Sequence, residues 1–88
     1  MIPTLHIQKI EPGNYLAEMR GTPDGSCEFR VSSIAEAIRI SAAGAGNQVS
    51  AFHIWFEHVG IGTTSTLAMR HDAETMAQRL MVLHGQHL

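Results

Sequence analysis

The sequence predicts an α+β fold: an antiparallel sheet of four or five strands with two helices packed on one face, in the order ββ(β)αββα. Three observations lead there. Short runs alternate apolar and polar residues between turn-forming clusters, as in Leu5-His6-Ile7-Gln8. Ser33 stands three residues before Glu36, the spacing of a helix capping box. Asp72 precedes Ala73, Met76, Ala77, Leu80 and Leu83, an apolar stripe at helical spacing.

The first strand is expected over residues 4–10 and the second over 15–20, joined by Glu11-Pro12-Gly13-Asn14. Proline then glycine is the order a type II turn prefers, because proline presets φ and glycine accepts a positive φ. Thr22-Pro23-Asp24-Gly25 marks the next turn, followed by a short strand over 27–31. Helix one starts at the Ser33 cap and stops near Gly44; the small residues Ala35, Ala37 and Ala42 suit close packing on a sheet. Ala43-Gly44-Ala45-Gly46-Asn47 reads as a hinge. A second hairpin is expected over 49–59 and 63–70, turning at Gly60-Ile61-Gly62, and Gly85 is expected to end helix two.

The halves resemble each other. Leu5-His6-Ile7 is echoed by Phe52-His53-Ile54, and Leu16-Ala17-Glu18-Met19-Arg20 by Leu67-Ala68-Met69-Arg70. An internal ββα duplication is one reading and convergent patterning the other, since the strand over 27–31 has no counterpart.

At 88 residues the chain is one domain, 1–88, with a modest core that self-association would help to stabilise. Cys27 is the single cysteine, so no internal disulfide is possible, and a reducing, cytoplasmic setting fits best. The first residues carry no basic segment followed by an apolar run, and no apolar run approaches the ~20 residues of a membrane span. Six Lys and Arg against eight Asp and Glu give a net charge of −2, which disfavours non-specific nucleic-acid binding.

Alternation sorts the strands onto two faces. Leu5, Ile7, Tyr15, Ala17, Met19, Phe52, Ile54, Phe56, Leu67 and Met69 form the face to be covered by helices. The open face collects His6, Gln8, Leu16, Glu18, Arg20, Glu28, Arg30, His53, Trp55, Glu57, Thr64, Thr66 and Arg70. A tryptophan amid mixed charges suits a binding surface, with Trp55, His53, His6, Arg20, Glu57 and Arg70 as its candidate residues. The plainer reading is a solvated sheet face on which Trp55 covers alkyl stems.

Chemistry finds less support. Of six histidines, only His6 and His53 are placed to meet across strands, and no third ligand is compelled; zinc wants three or four. Gly60-Ile61-Gly62 lacks the lysine and following helix of a phosphate loop. Cys27 falls on the core side, where a thiol is inert. The expectation is therefore a non-enzymatic module without cofactor or metal, binding a protein partner or a second copy of itself as a homodimer. Small accessory or inhibitor proteins of mobile elements share this size. The alternative is nucleic-acid binding, with Trp55 stacking on a base and Arg20, Arg30 and Arg70 on phosphates.

Overall fold

A computed structural model describes residues 2–22, 25–44 and 49–86, with Gln86 described by its backbone. Five strands form one sheet: β1 (Thr4–Glu11), β2 (Asn14–Thr22), β3 (Gly25–Val31), β4 (Ala51–Phe56) and β5 (Val59–Ser65). Three helices accompany them: α1 (Ile34–Gly44), α2 (Thr66–His71) and α3 (Ala73–Gln86). The strand order is β3-β2-β1-β4-β5.

The sheet is mixed, which corrects the antiparallel expectation. β1 and β4 run parallel, with Leu5 opposite Ile54 and Ile7 opposite Phe56, while the other neighbouring pairs are antiparallel. The cause lies in α1. A chain leaving β3 and passing through a helix returns in the direction it left, so β4 is parallel to β3 and, two antiparallel steps away, to β1. Local alternation carries no information about that pairing.

Pro12-Gly13 makes the expected first turn, with Gly13 at φ 75°. The Thr22–Gly25 turn contains Pro23 and Asp24, and the hinge contains Ala45, Gly46 and Asn47; both sets lie outside the described residues. Helix α1 ends at Gly44 as expected, whereas α3 continues through Gly85 to Gln86.

The second hairpin departs most from expectation. It turns at Glu57-His58, with Glu57 at φ 55°, and not at the glycines. Those glycines serve inside β5. Gly60 stands opposite Trp55 and Gly62 opposite Ile54, leaving Ile61 as the extra residue of a β-bulge that sends its side chain toward the core. The strand then stops at Ser65, where the expected strand over 63–70 becomes a helix. The Ser65 Oγ accepts from the Ala68 N–H at 3.1 Å, and Leu67-Ala68-Met69-Arg70 are good helix formers. Met69 is buried as a helical residue, and Leu67 points to solvent.

The core joins Leu5, Ile7 and Ala17 with Phe52, Ile54 and Phe56 from the sheet and with Ile38, Ala42, Met69, Met76 and Leu80 from the helices. Helices therefore cover one face of the sheet, as the alternation predicts. This geometry decides the duplication question. With β1 and β4 both pointing up, β2 lies on one side and β5 on the other, yet the helices lie on the same face. Such halves are related as mirror images, and no rotation superimposes them.

Cys27 corrects another expectation. It does sit on the core-side face, opposite Met19, but the helix layer does not extend over it and the thiol is exposed. From Arg20 around to Glu28 the described residues of the β2–β3 hairpin are largely exposed, and the molecule measures 35 × 20 × 20 Å.

Candidate functional site

The pairing register turns the open face into rows. One row crosses all five strands: Glu28, Glu18, His6, Trp55 and Gly60. The row beside it holds Arg20, Thr4, His53 and Thr63, and another holds Arg30, Leu16 and Gln8. His6, Arg20, His53 and Trp55 thus share one surface, as expected.

Trp55 is 42% exposed, and its ring is laid over its neighbour on β5. A Cβ built at Gly60 would fall 3.1–3.2 Å from three ring carbons, tighter than ordinary contact. Only a glycine lets the indole lie this close to the sheet, an instance of an aromatic side chain covering a strand glycine. The ring is fixed on one side by backbone and open on the other.

The two histidines do not meet. The His53 Nδ1 shares a hydrogen bond with the Thr63 hydroxyl at 2.8 Å, and the His6 Nε2 bonds to the Glu57 carbonyl oxygen at 2.7 Å. Among the described residues no group of three or more His, Cys, Asp or Glu converges on one point.

Glu57 is absorbed by the fold. Its N–H donates to the Ile7 carbonyl at 2.9 Å, its carbonyl accepts from His6, and its carboxylate accepts from the Lys9 N–H at 2.8 Å. Where β4 turns away from β1, this side chain satisfies a strand donor that would otherwise face water. Arg70 leaves the face altogether. It sits on α2, and its guanidinium donates to the Ala42 carbonyl at the end of α1 at 3.3 Å. Thr66 moves with it onto α2, and Thr64, opposite the buried Phe52, lies on the core-side face.

Charge on the open face is uneven. Glu18 and Arg20 form an ion pair at 2.6 Å on β2. Glu28 stands directly opposite Glu18 on the edge strand, a like-charge pair of the kind that destabilises a ladder. The face has an aromatic half around Trp55 and an acidic half toward β3.

Sequence reasoning missed a second surface. Tyr15, Ile34, Ala77, Met81 and Val82 line an open groove of about 600 Å³ between α1 and α3, bridged by Arg39 and Glu74 at 3.7 Å. Leu80-Met81-Val82-Leu83 was the signal, since one helix cannot hide four consecutive apolar residues on a single stripe. Sequence reasoning also missed the approach of His58 to His84, whose rings lie 5.6 Å apart, with Phe56 5.1 Å from His84. His87 is outside the described residues.

The chain matches no protein-family model, no curated protein and no solved structure at a significant level. No helix among the described residues is long and apolar enough to cross a membrane.

Proposed function

We propose that this protein is a non-enzymatic binding module that engages a protein partner through the open sheet face, with Trp55 as the anchor. The observation that carries this is the seating of the Trp55 ring on Gly60. An exposed aromatic held in one pose has lost its rotamer freedom before binding, so less is lost on association. The surrounding side chains supply polar edges: the His53–Thr63 pair, the Glu18–Arg20 ion pair and His6. Tryptophan surrounded by polar contacts is the composition of an interface hot spot.

The nucleic-acid reading has less to rest on. Of its three arginines, Arg70 is on the helix layer and Arg20 is paired with Glu18, which leaves Arg30 beside Glu28. Phosphate binding wants several convergent, unpaired cations. The cytoplasmic setting remains part of the proposal, on the strength of the lone cysteine.

Trp55 is the only tryptophan, so its emission tests the reading directly. Fractions of host protein containing the partner should protect Trp55 from acrylamide quenching. Protein that binds without changing the quenching contradicts a Trp55-centred site.

A further inference from the structure

We infer that a second copy of this chain joins at the β3 edge, antiparallel, with the two-fold axis at Phe29, so that two five-stranded sheets become one continuous sheet. The two edges of the sheet differ in fitness for this. β5 is bulged at Ile61, carries Gly60 and Gly62, and has Gly62 at φ 83°. A bulged, glycine-rich edge is poorly shaped for pairing. β3 pairs with β2 without interruption from Val31 to Cys27, and its outer edge has no partner strand in the sheet.

Symmetry restricts the register. A two-fold axis normal to the sheet keeps each side chain on its own face, so the axis must fall on a residue. Centred on Glu28, the join sets Glu28 against Glu28; centred on Arg30, it sets Arg30 against Arg30. Centred on Cys27, it sets Glu28 against Ser26. Centred on Phe29, it sets Glu28 against Arg30 of the second copy, twice, and Cys27 against Val31, twice. Only this register places opposite charges face to face and apolar groups together on the other side.

The intrachain electrostatics point the same way. Glu28 faces Glu18 across β2, and no cation lies within ion-pair distance of Glu28 among the described residues. Arg30 of the second copy supplies one. The join also extends the proposed binding face, because the axis keeps both Trp55 side chains on the same side. It uses an edge rather than that face, so either idea can fail without the other.

Sedimentation and thiol cross-linking test it. The wild-type chain should be dimeric at micromolar concentration. Glu28→Arg and Arg30→Glu should each weaken the dimer at least tenfold, and the double exchange should restore it. In a Cys27→Ser background, chains carrying Glu28→Cys should cross-link under mild oxidation to chains carrying Arg30→Cys, and neither to itself. That mixed dimer keeps one Glu28–Arg30 pair, and both positions are exposed, so the fold is not at risk. A monomeric wild type, a double exchange that fails to restore association, or self-linking of Glu28→Cys chains overturns the inference. A dimer lost through Trp55→Ala alone, with the β3 variants unaffected, overturns it too.

Discussion

The Trp55 indole rests on Gly60 of the neighbouring strand so closely that a single methyl group at Gly60 would press into the ring. Gly60→Ala should therefore lift the ring from the sheet. The emission of the only tryptophan should shift to longer wavelength and become easier to quench, with the fold retained. An unchanged spectrum would mean that the ring does not occupy this position.

Adjacent residues on β4 have opposite fates. Phe56 is buried beneath the helices, beside Tyr15 and His84, and Trp55 is half open to solvent. Phe56→Ala should cost ~3–5 kcal/mol by chemical denaturation, the usual range for a core phenylalanine. Trp55→Ala should cost about 1 kcal/mol, the scale of a cross-strand contact. Reversed values would mean that the strand register is shifted by one residue.

The start of α1 divides its capping between two serines. Ser33 Oγ accepts from the Glu36 N–H at 3.1 Å, and the Glu36 carboxylate accepts from the Ser32 N–H at 3.0 Å. Ser33→Ala should destabilise by about 1 kcal/mol. Ser32→Ala should have a smaller effect, because the main-chain donor remains. Equal losses in a thermal melt would contradict this division.

Ser41 is fully buried in α1, and its hydroxyl has no hydrogen-bond partner. Burying an unsatisfied hydroxyl costs roughly 1–3 kcal/mol. Ser41→Ala removes that cost at nearly constant volume and should raise the melting temperature. A lower melting temperature would show that the hydroxyl is satisfied in solution.

Much of this was legible before the structure. The Ser33–Glu36 spacing located α1, and alternation placed Trp55 opposite Phe56 in facing. Four features escaped for physical reasons. The β1–β4 pairing joins segments about half the chain apart and is set by the crossover through α1. The stretch after Ser65 alternates like a strand, and only the Ser65 cap distinguishes the helix. Cys27 was assigned the right face, but how far the helix layer reaches is a tertiary matter. The seating of Trp55 on Gly60 depends on a bulge that shifts the register by one residue at Ile61.

The central claim is that Trp55 anchors partner binding and contributes little to the fold. It is tested by quantitative capture of host proteins on immobilised wild type, Trp55→Ala and Leu67→Ser, each checked by thermal melt. Leu67 is the control, an exposed apolar residue on the helix layer. The account predicts that a specific partner is retained by wild type and Leu67→Ser and lost by Trp55→Ala, with all three melting within a few degrees. Undiminished capture by Trp55→Ala, or capture lost only with Leu67→Ser, would contradict it.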